Sequence, residues 1–225
     1  MNMTSKVALS ALLFVGLGSA PLAAAGQGPP FAVRVEVDEE VYRHEPTNNG
    51  AGMFWHAGCT EIARVGDRLF VSALEVLPDC APLNNVRWAL YQRRADGWHL
   101  CQRDIKDRSR EPSPLCVSHG GRLLMSVNPT LTPWVPLPAD PKAKPVGGPA
   151  RPEFLEFDPA HPEQEPKHLL PQWEGQPQYS EHSYRAFAAD GDRGEFILFQ
   201  TLRPLPYNGW ALLKSDGKAC RATCL

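Results

Sequence analysis

The feature of this sequence that most constrains its fold is a weak internal repeat, in which a strand, a glycine turn and a second strand recur three times. The turns are Gly66-Asp67, Gly120-Gly121 and the segment from Asp190 to Gly194. Further strands follow in each copy, and copies one and three carry Trp88-Ala89-Leu90 and Trp210-Ala211-Leu212 in the same slot. We expect these tryptophans to pack in the core. Because no sustained 3.6-residue apolar period follows the N-terminal segment, the pattern predicts strands rather than long helices.

Four-stranded antiparallel units repeated along a chain are the building blocks of a β-propeller. We therefore predict an all-β fold, a partial β-propeller of about three four-stranded antiparallel blades at roughly 53–104, 110–171 and 179–225. A β-sandwich is the alternative. Since propellers close with about 4 to 8 blades, either a partner completes the ring or the chain is a shortened version of a larger propeller.

Residues 1–25 have the features of a removable secretory signal. Lys6 precedes an apolar run from Val7 to Ala20, and Ala23-Ala24-Ala25 then supplies small residues suited to signal peptidase. A membrane anchor is the alternative, but the run is shorter than the roughly 20 residues that a spanning helix needs. We predict a secreted or periplasmic protein whose propeller domain covers residues 26–225, without membrane association after cleavage.

All six cysteines lie in the part that we predict to be exported, where disulfides form. Strand parity places Cys59 and Cys80 at the same end of the first unit, and we predict that they pair. The other pairings stay open. No CxxC pair is present, and no histidine lies near Cys220 and Cys224, so we expect neither a metal site nor a cofactor.

Composition and missing motifs exclude several classes of function. The formal net charge is -2 and no basic run is present, which disfavours nucleic acid and anionic membranes as partners. Hydrophobic residues make up 43% of the chain and charged residues 21%, values typical of a globular protein. The G-x-S-x-G motif of serine hydrolases and the glycine loops of nucleotide-binding proteins are absent from residues 26–225.

Strand parity also predicts where binding residues lie. In an up-and-down four-stranded unit, the start of the first strand, the end of the second and the start of the third lie at one end. Counting back ten positions from the final glycine of each repeat turn reaches His56, Glu111 and Tyr184. We expect these three residues to lie around the propeller axis at similar positions along it. The same end carries long loops, which are common binding devices on a rigid scaffold.

Several stretches resemble the sialidase-like, BNR-repeat propellers, a superfamily that includes sialidases, polysaccharide lyases and non-catalytic sugar binders. The resembling stretches are His56 to Ser72, Arg110 to Ser126, and Tyr179 to Phe187 continuing into Glu195 to Phe199. The Asp-box of the superfamily, Ser-x-Asp-x-Gly-x-Thr-Trp, is only partly echoed at 95–98 and 215–217. The resemblance implies a propeller fold and a polysaccharide or glycan as the ligand.

Propeller polysaccharide lyases such as ulvan lyases use a histidine, a tyrosine and an arginine. The resemblance implies that His182, Tyr184 and Arg185 are the catalytic residues of this chain. Arg110 or Arg185 would pair with a substrate carboxylate, since the guanidinium fork matches it. His182 or Tyr184 would move the proton that β-elimination requires. We therefore predict lyase- or glycosidase-type action on an anionic polysaccharide.

A wider set of residues is predicted to bind the substrate, namely Trp55, His56, Arg110, Glu111, Trp134 and Tyr207. The aromatic rings among them can stack on the apolar C–H faces of sugars. Each of these residues also has a purely structural interpretation, as a strand cap, a loop residue or a packing residue. The alternative function is therefore a non-catalytic extracellular binding or interaction propeller, or an inactive truncated remnant, and the partial Asp-boxes favour it.

Overall fold

The computed structural model describes residues 34–35, 37–49, 59–137, 147–171, 173, 178–182, 184–190 and 195–200, and the backbone of 201, 208–213 and 220–224. The chain divides into two units, Met1–Asp38 and Glu39–Leu225, and the strands lie in the second. Within those ranges the structure has twelve strands and no helix, so it contains no apolar helix long enough to cross a membrane. The predicted all-β class is confirmed.

The described strands form three antiparallel sheets of four strands each. Sheet 1 contains β1 (Ile62–Val65), β2 (Arg68–Val76), β3 (Val86–Arg94) and β4 (Gly97–Arg103). Sheet 2 contains β5 (Leu115–Val117), β6 (Leu123–Val127), β7 (Glu153–Phe157) and β8 (Lys167–Leu169). Sheet 3 contains β9 (Arg185–Asp190), β10 (Glu195–Thr201), β11 (Asn208–Leu213) and β12 (Cys220–Cys224). Each sheet is an up-and-down meander, in which strands adjacent in sequence are also adjacent in space.

Glycines with positive φ form the tight turns of the first two sheets. Val65 of β1 pairs with Arg68 of β2, which leaves Gly66 and one further residue as a two-residue turn, and Gly66 has a φ of 61°. Between β5 and β6, Gly120 and Gly121 have φ values of 80° and 75°. A side chain would be strained in this conformation, so glycine permits the chain to reverse at both places.

Sheet 2 is buried on both faces, because side chains alternate along its strands. Leu123 and Met125 of β6 face sheet 1, whereas Leu124 between them faces sheet 3. The buried cluster between sheets 1 and 2 consists of Ala63, Phe70, Trp88, Leu90, Leu115, Leu123, Met125, Val127, Leu155 and Phe157. The cluster between sheets 2 and 3 consists of Cys116, Leu124, Phe154, Phe187, Phe196 and Leu198. The three sheets are therefore stacked face to face with sheet 2 in the middle.

The first strands of the three sheets lie beside one another. β1 contacts β5, and β5 contacts β9. The backbone N–H of Leu115, the first residue of β5, donates a hydrogen bond of 2.6 Å to the carbonyl of Thr60, which lies just before β1. The segments that enter these strands are therefore brought together at one end of the stacked sheets.

A segment that begins at Glu39 packs on part of the face of sheet 1 that points away from sheet 2. Tyr42 stacks on Tyr91 of β3 with ring centroids 5.4 Å apart, and its hydroxyl accepts a hydrogen bond of 3.3 Å from the N–H of Leu74. Arg93 Nε donates a hydrogen bond of 2.7 Å to Glu39 Oε2. Residues of the same chain thus cover the part of this face around Tyr91, whereas Ile62 and Leu100, in the same cross-strand row as Tyr91, are exposed.

The predicted disulfide between Cys59 and Cys80 is not present in the structure. The cysteines whose side chains are described are all free thiols, namely Cys59, Cys80, Cys101 and Cys116. The Cys80 thiol donates a hydrogen bond of 3.3 Å to the carbonyl of Asn84 and accepts one of 3.4 Å from Arg108 Nη1. The Cys59 thiol instead lies within electrostatic range of Arg185. Strand parity predicts that two cysteines lie at the same end of a sheet. It does not predict that their sulfur atoms lie within bonding distance of each other.

Candidate functional site

The candidate site is built by the segments that lead into the first strands of sheets 2 and 3. Residues 110 and 111 lie shortly before β5, residues 181, 182 and 184 lie shortly before β9, and residue 185 begins β9. We call this set the polar cluster, and it consists of Arg110, Glu111, Glu181, His182, Tyr184 and Arg185. The structure brings together five residues that the sequence predicts as site residues, and it adds Glu181, which the prediction does not include.

Arg110 lies between two buried carboxylates. Its Nε is 3.8 Å from Glu111 Oε1, and its Nη1 is 3.6 Å from Glu181 Oε1. The Arg110 side chain is 17% exposed, whereas both glutamate side chains are 2% exposed. These separations exceed the roughly 2.7–2.9 Å of a charge-assisted hydrogen bond. Nε is buried and donates no hydrogen bond to the residues that the structure describes.

Glu181 is held by two consecutive glycines in the loop before β7. The N–H of Gly148 donates a hydrogen bond of 2.7 Å to Glu181 Oε2, and the N–H of Glu181 donates one of 3.1 Å to the carbonyl of Gly148. A Cβ at Gly147 would overlap the Glu181 carboxylate, so this close approach requires glycine. The sequence signal for the contact is the glycine pair alone, which does not indicate what approaches it.

His182 lies on the accessible side of the polar cluster, with its side chain 34% exposed. Its Nε2 is 3.5 Å from Glu111 Oε1, the same oxygen that Arg110 Nε faces. The imidazole also packs edge-on against Tyr184, with ring centroids 4.8 Å apart and an interplanar angle of 71°. A carboxylate on one side and a phenol ring on another orient the imidazole, which is the usual requirement for a histidine that transfers protons.

Arg185 is fully buried and points towards the main chain. Its Nη2 donates hydrogen bonds to the carbonyl of Pro112 at 2.5 Å and to the carbonyl of Glu111 at 3.4 Å. Burial lowers the pKa of Arg185 to about 10, while Cys59 and Glu111 act in the opposite direction, so the side chain is charged at neutral pH. This geometry makes Arg185 a positioning residue for the Glu111 segment. Direct contact with a substrate stays a prediction, which the burial of this side chain disfavours.

Two ionisable residues just before β1, Cys59 and Glu61, lie close to the polar cluster. Burial raises the pKa of the Cys59 thiol to about 12, and Arg185 acts in the opposite direction. Burial also raises the pKa of the Glu61 carboxyl from its ordinary value of 4.5 to about 7. At neutral pH the thiol is therefore protonated, whereas Glu61 titrates close to neutrality.

Amide side chains connect the polar cluster with the rest of the fold. Asn49 Nδ2 donates a hydrogen bond of 3.1 Å to the carbonyl of Arg110. Asn128 Nδ2 donates one of 2.9 Å to the carbonyl of Ser180, and Gln200 Nε2 donates one of 3.4 Å to Asn128 Oδ1. These amides hold the backbone that carries the site. The sequence does not reveal them, because an asparagine in a loop is equally typical of an exposed turn.

The remaining predicted binding residues do not belong to the polar cluster. Trp134 is 56% exposed and lies on a segment that is bridged to Cys80 through Pro136. Its open ring surface is available for stacking, and its predicted role stays a prediction. Outside the described residues lie Trp55, His56 and Tyr207.

Comparisons of this chain with protein families, curated proteins and solved structures find no match. Within the described ranges, no group of three or more His, Cys, Asp or Glu residues is arranged to hold a metal ion. The chemistry of the site is therefore inferred from its side chains. They comprise an oriented imidazole, an adjacent phenol and a guanidinium that is only loosely paired with two carboxylates.

Proposed function

We propose that this chain is an exported, sialidase-like β-propeller that acts on an anionic polysaccharide by β-elimination. The observation that carries the proposal is the position of His182, which lies 3.5 Å from Glu111 Oε1 and edge-on to Tyr184. Arg110 faces the same carboxylate oxygen. A proton-transfer pair beside an arginine is the set that elimination from a uronate sugar needs. The exported location rests on the signal-like features of residues 1–25.

The stacking of the sheets supports the propeller part of the proposal. Each sheet follows the chain order from its first to its fourth strand, and the first strands of successive sheets contact each other. Apolar side chains fill the spaces between the faces of successive sheets. Blades of a propeller are arranged in this way around their axis. The polar cluster would then lie where the innermost strands begin, and further sheets from a partner would complete the ring.

The elimination would begin with Arg110 and His182. Arg110 would bind the sugar carboxylate, which withdraws electrons from C5 and makes its hydrogen more acidic. With Nε2 of His182 3.5 Å from Glu111 Oε1, that nitrogen would carry the ring proton, and Nδ1 would act as the base. Nδ1 would remove the proton from C5, and the electron pair of that C–H bond would form the C4–C5 double bond.

Tyr184 would complete the step. As the bond between C4 and its oxygen breaks, the departing oxygen takes the proton of the Tyr184 hydroxyl, and solvent later restores the protonation of Tyr184 and His182. Elimination is favoured over hydrolysis by a pair of carboxyl groups, because that mechanism needs both groups at the sugar. Here Glu111 and Glu181 are buried and face Arg110 instead.

The test is to incubate the purified protein with uronate-containing polysaccharides and to follow the absorbance of the unsaturated product. We expect product from the wild type and a loss of about 100-fold or more in rate for His182→Asn and for Tyr184→Phe. Arg110→Lys should raise KM, because lysine keeps the charge but loses the fork that binds a carboxylate in two places.

The matched control is His161→Asn, because His161 also lies beside a glutamate, with Nδ1 3.7 Å from Glu163 Oε1. Both side chains of that pair are well exposed, and the variant should keep the wild-type rate. Folded wild-type protein that releases no unsaturated product from any uronate polymer would overturn the elimination mechanism. Equal rates for wild type and His182→Asn would show that His182 is not the base.

A non-catalytic sugar-binding propeller is the second candidate, and the surroundings of Arg110 favour it. The charge of Arg110 is already balanced by Glu111 and Glu181, which weakens its attraction for a substrate carboxylate. In that case calorimetry should detect glycan binding without turnover, and binding should be as strong in His182→Asn as in the wild type. Loss of binding in Trp134→Ala would then identify the exposed indole as a stacking platform.

A further inference from the structure

A cavity of about 390 Å³ lies between sheets 1 and 2 and is separate from the polar cluster. It is bounded by the segment that ends β4 and continues to Asp107, by β7, and by the segment that leads into β8. No residue of the polar cluster is among the described residues that line it. Its volume falls within the range of roughly 300–1,000 Å³ that is typical of small-molecule sites.

The inner wall of this cavity is apolar. Trp88 and Leu155 line it, and both belong to the buried cluster between sheets 1 and 2. The indole N–H of Trp88 donates a hydrogen bond to the carboxylate of Asp104, which also lines the cavity. A fixed indole beside a leucine offers an apolar surface for the body of a small molecule.

Glu153 places a buried carboxylate in the cavity. Its side chain is 4% exposed and faces sheet 1 as Leu155 does, because both alternate on β7 with Phe154. His168 Nδ1 lies 3.6 Å from Glu153 Oε1, and Arg151 Nη2 lies 3.7 Å from Glu153 Oε2. Both separations exceed the roughly 2.7–2.9 Å of a charge-assisted hydrogen bond. Among the side chains that the structure describes, this carboxylate therefore lacks the short donor that compensates for burial of a charge.

The charges around the cavity favour a cation as the ligand. Five of the described residues that line it are acidic, whereas two, apart from His168, are basic. Of these two, Arg103 is already paired with Glu75, which lies outside the cavity lining, and Lys106 with Glu165, at 3.2 and 3.1 Å. The field at the cavity is therefore negative. Within the described ranges no group of three or more His, Cys, Asp or Glu residues is arranged to hold a metal ion, which favours an organic cation.

We propose that this cavity binds a small aryl-alkyl amine, whose ammonium group pairs with Glu153 and whose apolar body lies against Trp88 and Leu155. An ammonium group has three N–H donors, so it would supply the short hydrogen bond that His168 and Arg151 do not. Because the cavity and the polar cluster have no residue in common, this inference does not depend on the proposed activity.

The test is isothermal titration calorimetry of the purified wild-type protein with phenethylamine, and with 2-phenylethanol as a neutral probe of similar shape. We expect phenethylamine to bind with a Kd of about 10⁻⁴ to 10⁻³ M, as a ligand of this size allows. The alcohol should bind about tenfold more weakly or less, because it has no charge to pair with Glu153.

Glu153→Gln should weaken phenethylamine binding about tenfold or more, because glutamine keeps the shape of the side chain but carries no charge. The matched control is Glu156→Gln on the same strand, since Glu156 pairs with Arg122 at 3.2 Å and is not among the described residues that line the cavity. It should bind phenethylamine like the wild type. Circular dichroism and the melting temperature establish that both variants are folded.

Glu163→Lys is a second variant that needs no buried substitution, because Glu163 lines the cavity with a well-exposed side chain. It should weaken phenethylamine binding about threefold or more, because it places a positive charge beside the site. Wild-type protein that binds phenethylamine no more tightly than 2-phenylethanol would overturn the proposal. Unchanged affinity in folded Glu153→Gln would also overturn it, and so would unchanged affinity in Glu163→Lys if Glu153→Gln does not fold. Equal losses in Glu153→Gln and Glu156→Gln would show that Glu153 does not hold the ammonium group.

Discussion

The apolar interfaces on both sides of sheet 2 and the three most buried charged residues of the polar cluster are equally buried but opposite in chemistry. Phe157 and Leu124 lie among other apolar side chains, and their burial stabilises the fold by about 25 cal/mol per Å². Glu111, Glu181 and Arg185 are buried to the same extent, and burial of a charge is unfavourable unless good partners compensate for it. The stability of the fold therefore comes from the interfaces rather than from the polar cluster.

The ion pairs of the polar cluster are longer than the partly buried ion pairs of sheet 1. Arg110 and His182 lie 3.5–3.8 Å from their glutamates. By contrast, the partly buried pair between Arg87 and Glu75 in sheet 1 has a separation of 2.9 Å. A pair that serves stability is expected to be short and direct. The looser contacts at the polar cluster are what a site needs if it is to accept a ligand between its charges.

The largest effect is expected in the apolar interface. Phe157→Ala should lower the free energy of unfolding by about 3–5 kcal/mol, because it removes a buried ring and leaves a cavity. Phe157 packs edge-on against Trp88 with ring centroids 5.8 Å apart, so part of sheet 1 would lose its support. Urea denaturation followed by tryptophan fluorescence measures the change. Ile105→Ala, at an exposed position, should change the free energy of unfolding by less than about 0.5 kcal/mol. Equal losses of stability in the two variants would contradict the conclusion that the apolar interface stabilises the fold.

A smaller loss is expected inside the polar cluster. Arg185→Met should lower the free energy of unfolding by about 2–3 kcal/mol, because the carbonyls of Glu111 and Pro112 lose a buried donor while the methionine fills most of the space. The matched control is Arg87→Met, which breaks a more exposed pair and should cost about 1 kcal/mol or less. The same denaturation measurement applies. An unchanged or raised stability of Arg185→Met would mean that Arg185 does not hold the segment before β5.

The smallest effect is a pH dependence that originates at Glu61. Because burial raises the pKa of this carboxyl from 4.5 to about 7, the folded state binds its proton more tightly than the unfolded state. The resulting stabilisation is fully present below pH 4.5 and is lost as the pH rises through about 7. After allowance for the partial exposure of the group, the change is about 1 kcal/mol.

The measurement is the free energy of unfolding of wild type and Glu61→Gln across this pH range. Glutamine has no proton to lose, so the variant should lack the decrease that the wild type shows between pH 4.5 and about 7. Parallel curves for the two proteins would assign the pH dependence to another group and would remove Glu61 from the titratable groups near the site.

Much of the fold could be predicted from local pattern. The turn at Gly66 and the strand β6 that follows Gly121 are recognisable because hairpin turns and short apolar runs after a glycine turn depend only on neighbouring residues. The repeated Trp-Ala-Leu slot correctly predicts that Trp88 packs in the core. The side chain of Trp210 lies outside the described residues, so that half of the expectation stays a prediction.

The candidate site could be predicted only in part. Strand parity correctly brings Arg110 and Glu111 together with His182 and Tyr184, because strand starts at one end of stacked sheets are determined by connectivity. It does not predict what contacts the carboxylate of Glu181, because that contact depends on an approach by distant loop glycines. Parity also leads to the wrong expectation for the Cys59 thiol, because residues at the same end of a sheet need not be within bonding distance.

The sequence by itself determined that the chain forms strands in repeating groups, where those strands reverse, and which segments meet at one end. These are consequences of alternation, glycine turns and connectivity, which act over short stretches of chain. Only the tertiary structure decided that Arg185 is buried against carbonyls and that Arg110 lies between two carboxylates. It also decided that Tyr42 stacks on Tyr91 of sheet 1. These features depend on distances between residues far apart in the sequence, which no local pattern specifies.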